Sequence, residues 1–135
     1  MATGYIFATL CPMNPNAERN QNQAAPPVKR MGMVNEIRPE YLDEYRRLHA
    51  DGHPGVRDLL AKYHLRNFSI FLRQIDGRWF EFGYYEYHGE SFETDMAALD
   101  AEQRNREWLV RCDPMQVPLE GETGWAIMER VYFNP

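Results

Sequence analysis

The sequence predicts an α+β fold in which one four-stranded antiparallel sheet carries helices on one of its faces. Three observations lead to this prediction. Stretches of alternating apolar residues, typical of strands, are separated by stretches whose apolar residues have helical spacing. The dipeptide Asp76-Gly77 joins two strand candidates and is a strong hairpin-turn signal. The length of 135 residues fits one domain rather than two.

Residues 1–29 are predicted to form an extended or flexible arm ahead of that domain. Between positions 13 and 29 the chain is rich in Asn, Gln and Pro and shows little hydrophobic periodicity. Such a composition buries too little apolar surface to support a packed core. The domain itself is therefore expected to span residues 30–135.

The first strand and the first helix follow from the next part of the chain. Arg30–Ile37 is a short strand candidate, and Pro39 then suits the first turn of a helix. In that helix, apolar and aromatic side chains recur at spacings of three and four: Tyr41, Leu42, Tyr45, Leu48 and His49. The Gly-His-Pro-Gly run at 52–55 should break the helix, after which the helical spacing resumes.

Two further strands flank the predicted hairpin turn. Asn67–Ile75 alternates well enough for a strand, and Arg78–His88 is a long aromatic strand. Gly83 lies inside the second of these. A glycine inside a strand marks either a bulge or a close approach of another chain segment.

A second helical region and a last strand complete the pattern. Ser91 is a plausible N-cap for the helical region, and Asp113-Pro114 ends it. After a loop at 117–123, Gly124–Phe133 is predicted to form the last strand.

The order of elements is therefore β-α-β-β-α-β, which is the ferredoxin-like arrangement. Such a sheet leaves one face without helices, and here that face would carry aromatic and β-branched side chains. Aromatic residues make up 13% of the chain, which favours a pocket, a large interface or both. A second copy of the chain is the simplest cover for this apolar face, so we expect a homodimer through the sheets.

Charge and composition exclude several classes of protein. The chain has 15 basic and 20 acidic residues, a net charge of −5, and no basic stripe, so nucleic-acid binding is not expected. No apolar run approaches the roughly 18 residues of a membrane-spanning helix. The first residues lack the basic region and cleavage site of a signal peptide. Two cysteines without a C-x-x-C motif fit a reducing, cytoplasmic setting.

The most informative stretch for function is Y-R-R-L-H-A-D-G-H-P, from Tyr45 to Pro54. Tyr45 and His49 are four residues apart, so they share one helix face, and His53 continues that row if the helix persists. A phenol and one or two imidazoles can bind a polar ligand and transfer protons on it. The alternative is that these are ordinary core side chains.

A metal or cofactor has little support. His49 and His53 have the spacing of a helical zinc pair, but there is no third ligand and no H-E-x-x-H glutamate. The sequence also has no glycine-rich phosphate loop or Walker pattern, and neither cysteine has a neighbouring base. We therefore expect no metal and no cofactor.

Trp108 lies in the second helical region beside charged residues. An exposed indole face stacks well on the apolar face of a sugar, whereas a Trp in an amphipathic helix is usually part of the core. Both interpretations stay open from the spacing alone.

Residues 35–72 resemble the L-rhamnose mutarotase family. They contain a strand, a proline, the run E-Y-R-R-L-H, a proline-broken helix and the strand N-F-S-I-F-L. The final M-E-R-V-Y-F-N-P is also similar to the ending of that family. The resemblance extends from Arg30 to Pro135.

This resemblance implies a ferredoxin-like fold, a dimer through the sheets, no metal, and interconversion of the α and β anomers of a deoxysugar pyranose. The proton-donating histidine of the family falls on His49, and its sugar-contacting helix tyrosine falls on Tyr45.

Other site positions of the family carry different residues here. A second tyrosine falls on Phe68, which lacks the hydroxyl, and a Trp-Trp pair falls on Glu107 and Trp108. A tryptophan just before the helix-breaking proline falls on His53. These departures change the walls of the implied pocket.

The resemblance and the residues together predict a sugar mutarotase that acts on L-rhamnose or a related (deoxy)sugar. His49 would transfer the proton, Tyr45 would orient the sugar and Trp108 would stack on it. Glu107 and His53 are further candidates for proton transfer or hydroxyl contact. Two alternatives stay open: a dimeric, non-catalytic module that binds a small ligand, and a cofactor-free monooxygenase on the same fold.

Overall fold

The structure is a computed structural model that describes residues 24–135. Residues 1–23, most of the predicted arm, lie outside the described residues. The first strand begins at Lys29, one residue before its predicted start. Within the described range, no helix has the length and apolar character needed to cross a membrane.

The described residues form five strand segments and four α-helices. The strands are β1 (Lys29–Ile37), β2 (Leu65–Ile75), β3 (Arg78–Tyr87), β4 (Gln116–Val117) and β5 (Ala126–Met128). The helices are α1 (Leu42–His49), α2 (Arg57–Lys62), α3 (Phe92–Ala101) and α4 (Gln103–Cys112). Short 3-10 turns precede α1 and follow α4.

The sheet has the predicted ferredoxin-like strand order. All strand pairs are antiparallel and lie in the order β2-β3-β1, while β4 and β5 share the position on the far side of β1. The hairpin between β2 and β3 turns at Asp76 and Gly77, whose φ values of 50° and 76° suit a type I′ turn. The predicted fold class is confirmed.

One face of the sheet packs against the helices. Alternate residues of a strand point to the same face, so Asn35 and Ile37 of β1 and Glu81 of β3 are buried together on that side. Two groups of buried side chains fill this layer. The first core cluster contains Met33, Val56, Leu59, Leu65, Tyr85, Tyr87 and Leu99. The second core cluster contains Ile37, Leu42, Tyr45, Leu48, Cys112 and Met115.

The opposite face of the sheet carries an apolar row. Phe71 of β2 pairs with Phe82 of β3, which in turn lies beside Val34 of β1. Phe71 is 66% exposed, and Ile75 further along β2 is also exposed. This open apolar face is what the strand pattern predicted.

The last strand is much shorter than predicted, so the prediction of Gly124–Phe133 is corrected to the three residues of β5. By the register of β5, Gly124 would lie opposite Glu36, but Val117 of β4 already pairs with Glu36. At the other end, the ring of Phe133 lies 3.9 Å from the guanidinium carbon of Arg30. The residues after Met128 therefore make this cation–π contact where a longer strand would have continued the ladder of hydrogen bonds.

The second helical region is divided into α3 and α4, a break that the sequence pattern did not predict. The backbone of Glu102, between the two helices, is extended. Its carboxylate accepts hydrogen bonds from Lys62 Nζ (2.5 Å) and the hydroxyl of Tyr63 (2.6 Å), at the end of α2. Ser91 is at the predicted N-cap position, but its hydroxyl bonds to the Thr94 hydroxyl (2.8 Å) rather than to a backbone amide.

Gly83 is a close-approach position, one of the two roles predicted for it. A Cβ atom at Gly83 would lie 2.8 Å from Cε of Met33. The bulge lies instead on β2, where the register shifts between Arg66 and Ser69 and where Asn67 has a φ of 52°.

Candidate functional site

Helix α1 carries Tyr45 and His49 one turn apart on its inward face. Their rings stack with centroids 4.1 Å apart and an interplanar angle of 27°. Tyr45 is only 2% exposed within the second core cluster, whereas His49 is half-buried at the end of the helix. The predicted pairing of these two side chains is therefore present in the fold.

The surroundings of His49 define its tautomer. Its Nδ1 lies 2.8 Å from the backbone carbonyl oxygen of Tyr45. A carbonyl can only accept a hydrogen bond, so Nδ1 carries the hydrogen and the Nε2 of the neutral ring keeps a free lone pair. Burial lowers the pKa of His49 below its usual value, and the positive charge of Arg57 lowers it further. His49 is thus favoured as a neutral base at neutral pH.

Trp108 reaches the same place from α4. Its ring lies edge-on to His49 with centroids 5.5 Å apart, and 5.9 Å from the ring of His53. The backbone at Gly55 passes close to the indole, because a Cβ atom there would lie 3.3 Å from Cη2 of Trp108. Trp108 thus packs against the loop that follows α1.

His53 joins the group through a loop rather than along a helix. The helix α1 ends at His49, so the row of side chains that a longer helix would have extended to His53 is not formed. The loop nevertheless brings His53 to Trp108, and the Nδ1 atom of His53 is buried without a hydrogen-bond partner.

The other two candidate residues have contacts elsewhere. Glu107 is exposed on α4 and accepts a hydrogen bond from Gln103 (2.9 Å). Phe68 is half-buried and stacks on Tyr85, with ring centroids 5.3 Å apart. The structure therefore groups Tyr45, His49, His53 and Trp108 into one set of neighbouring side chains, the His49 cluster. Within residues 24–135, neither Glu107 nor Phe68 makes a hydrogen bond or a ring–ring contact with the His49 cluster.

Glu81 is a buried polar residue beside this cluster that the sequence pattern did not indicate. This residue of β3 is completely buried, and its Oε2 accepts a hydrogen bond from the hydroxyl of Tyr45. Burial raises the pKa of Glu81 to about 7, against the smaller lowering effect of the hydrogen bond from the Tyr45 hydroxyl. Burial, and then the charge of Glu81, raise the pKa of the Tyr45 phenol. An acidic residue at an inward position of an alternating strand was the signal that could have revealed it.

Asn35 lies directly opposite Glu81, on the neighbouring strand. Both side chains are completely buried. Asn35 Nδ2 and Glu81 Oε1 make no hydrogen bond, so each leaves one buried polar atom unpartnered. Unpartnered buried polar atoms are costly and uncommon.

Other features of the described range lie outside this cluster. No group of three or more His, Cys, Asp or Glu side chains able to hold a metal ion occurs within residues 24–135. A surface cleft is lined by Leu72, Arg73, Gln74 and Trp79, none of which is a predicted site residue.

Comparisons with known proteins agree on one family. A family model described as L-rhamnose mutarotase matches residues 30–133. A curated L-rhamnose mutarotase from Lactiplantibacillus plantarum is 32% identical over 86 residues, which cover 64% of this chain and 78% of that protein. The crystal structure of an L-rhamnose mutarotase from Formosa agariphila superposes with a TM-score of 0.59 at 16% identity. That match covers 79% of this chain and 99% of the other, and it bears on the fold alone.

Proposed function

The chain belongs to the L-rhamnose mutarotase family, whose members are carbohydrate isomerases, and we propose that it interconverts the α and β anomers of L-rhamnose or a related deoxysugar. The observation that carries the proposal is His49, a half-buried imidazole with a fixed tautomer and an aromatic wall. Family membership favours this isomerase over a non-catalytic binding module or a monooxygenase.

The reaction needs one group that takes a proton and returns it. When the pyranose ring opens, the anomeric hydroxyl loses a proton, the C1–O5 bond breaks, O5 gains a proton and C1 becomes an aldehyde. We propose that Nε2 of His49 accepts the proton from the anomeric hydroxyl, and that this imidazolium delivers it to O5, directly or through water. Rotation about the C1–C2 bond and the reverse steps give the other anomer.

The environment of His49 supports this role. The hydrogen bond from Nδ1 to the Tyr45 carbonyl leaves the lone pair on Nε2. A pKa below the usual value for histidine keeps most of the side chain in the neutral, proton-accepting form near pH 7. Arg57 donates hydrogen bonds to the carbonyls of His49 and Ala50 (both 3.0 Å), which ties the end of α1 in place.

The remaining predicted residues would shape the pocket. Trp108 offers an aromatic face for the apolar side of the sugar, and His53, whose ring lies beside Trp108, would line the same wall. We keep Phe68 and Glu107 as wall residues on the basis of the family positions alone. Tyr45 would orient the sugar through its hydroxyl. That hydroxyl also donates a hydrogen bond to Glu81.

We also propose that the protein forms a homodimer through its open sheet face. The apolar row of Phe71, Phe82 and Val34 runs across three neighbouring strands and would be covered by the same row of a second copy. Burial of exposed aromatic surface is the driving force for such pairing.

The activity proposal is tested by exchange NMR on His49 variants. Saturation transfer between the anomeric proton signals of L-rhamnose measures the exchange rate. We expect His49→Ala and His49→Asn to reduce catalysed exchange by about 100-fold or more, because general acid–base catalysis contributes on that scale.

The matched control is His64→Asn, which changes an exposed histidine whose positive φ an asparagine tolerates. The control should exchange the anomers as fast as the unmodified protein. If folded His49→Ala retains the full exchange rate, His49 is not the acid–base residue. If the unmodified protein does not exceed the spontaneous rate with any 6-deoxyhexose, the proposed activity is wrong.

A further inference from the structure

The buried carboxyl of Glu81 has no part in the proposed reaction. It lies in the layer between sheet and helices, 0% exposed, with no Lys, Arg or His among the groups that shift its pKa. Three elements lie around it: Tyr45 on α1 donates a hydrogen bond to it, Asn35 on β1 lies opposite it in the ladder, and on α4 the pKa of the Cys112 thiol is raised by burial and, to a smaller extent, by the Glu81 charge. Burying a carboxyl without a cationic partner is costly.

Glu81 is connected to His49 through a single residue. Its Oε2 accepts the hydrogen of the Tyr45 hydroxyl at the far end of the phenol. The ring of Tyr45 then stacks on the imidazole of His49, with centroids 4.1 Å apart. The carbonyl of Tyr45 also accepts the hydrogen of His49 Nδ1. Tyr45 therefore holds His49 at two points, and Glu81 holds the free end of Tyr45.

We propose that Glu81 is a positioning residue: by accepting the Tyr45 hydroxyl hydrogen, it fixes the phenol beneath the His49 imidazole and so sets the direction in which Nε2 faces the sugar. The proposal rests on the proposed function for its kinetic consequence. The geometric part, that Glu81 controls the setting of the His49 ring, stands independently of the substrate.

Two substitutions separate positioning from a merely structural role. Glu81→Gln keeps an oxygen that accepts the Tyr45 hydrogen but cannot carry charge, whereas Glu81→Leu keeps similar volume and removes the acceptor. If Glu81 positions His49, Glu81→Gln should retain exchange within about threefold of the unmodified protein. Glu81→Leu should lower kcat by about 10-fold to 100-fold with little change in KM, because a small misplacement of a catalytic group has an effect of that size.

A double-mutant cycle checks the route through Tyr45. Tyr45→Phe removes the donor of the same hydrogen bond, so it should lower kcat about as much as Glu81→Leu. The double variant should be no slower than the slower single variant, because both substitutions break one interaction. If the kcat losses of the two single variants multiply in the double variant, the two residues act independently and the proposed route is wrong.

The second measurement, NMR of the His49 ring, does not depend on enzymatic activity. The ¹⁵N and ¹H signals of the His49 ring report its tautomer and the ring current of Tyr45. We expect them to be close to the native positions in Glu81→Gln and shifted alike in Glu81→Leu and Tyr45→Phe. This comparison also serves if Glu81→Leu does not fold, because Tyr45→Phe breaks the same bond while leaving the carboxyl in place.

The possible outcomes distinguish this proposal from the proposed function. Native His49 signals and native kcat in folded Glu81→Leu would overturn it, and so would equal losses in Glu81→Gln and Glu81→Leu, which would assign the effect to charge. If the unmodified protein catalyses no anomer exchange but the His49 signals respond as expected, the proposed function fails and the positioning role of Glu81 stands.

Discussion

At the scale of single residues, we expect Glu81 to couple the stability of the fold to pH. Burial raises the pKa of its carboxyl from 4.5 to about 7. A carboxyl whose pKa is raised on folding contributes stability below the pKa of the unfolded chain and loses that contribution as the pH rises through the folded pKa. The stability supplied by protonated Glu81 is therefore lost between about pH 4.5 and pH 7.

Glu81→Gln should remove this dependence. The free energy of unfolding of the variant, relative to that of the unmodified protein, should rise by about 3 kcal/mol between pH 4 and pH 8, the equivalent of the pKa shift. Urea unfolding at a series of pH values measures it, with the exposed Glu120→Gln as the matched control for loss of one carboxyl. Parallel stability curves for Glu81→Gln and the unmodified protein would show that Glu81 is not protonated by burial.

Residue spacing revealed two members, Tyr45 and His49, of the polar group that also contains Glu81. Tyr45 and His49 could be paired from the sequence because four residues make about one helical turn, which is local geometry. Glu81 lies 36 positions from Tyr45, and its hydrogen bond depends on how α1 sits on the sheet. Alternation along β3 could have placed Glu81 inside, but not against Tyr45.

At the scale of elements, the break after α1 shapes the His49 cluster. The helix ends at His49, and the following loop brings His53 and Gly55 against Trp108. Glycine was predicted to interrupt the helix. What the sequence could not supply is that Gly55 adopts a φ of 50° directly beneath the indole of a distant helix.

Gly55→Ala should therefore destabilise the protein and disturb Trp108. An L-residue at this φ costs about 1–2 kcal/mol, and the added Cβ atom would press on the indole. Thermal unfolding measures the loss of stability, and tryptophan fluorescence reports the displaced ring. Gly52→Ala is the matched control, because a Cβ atom at Gly52 has no atom within 4 Å. Equal melting temperatures for the two variants would show that the backbone conformation of Gly55 and its contact with Trp108 do not limit the stability of the protein.

The lengths of the last elements also depended on distant contacts. Apolar spacing predicted one helical region after Ser91 and one long last strand. The helix is divided at Glu102, whose carboxylate contacts Lys62 and Tyr63, and β4 occupies the edge of β1 that the start of the last strand would need. Each contact joins segments that are far apart in the sequence.

At the scale of the whole molecule, the open sheet face is the surface that we propose as the dimer interface. We expect a concentration-dependent homodimer that Phe71→Asp converts to a monomer, because a charge in the middle of the apolar row would be buried without a partner. Sedimentation velocity measures the mass. The control is Val110→Asp, which adds the same charge at a 75% exposed position on α4. A Phe71→Asp variant that sediments as the unmodified dimer would exclude this face as the interface.

The sequence by itself determined the class of fold, the hairpin between β2 and β3, the helix that carries Tyr45 and His49, and the family resemblance. These follow from periodicity and turn chemistry, which act between residues a few positions apart. Only the tertiary structure decided that Trp108 meets both His49 and His53, that Glu81 bonds to Tyr45, and that the last strand stops after three residues. Those outcomes depend on how separate elements pack and compete for the same surface, which no local pattern encodes.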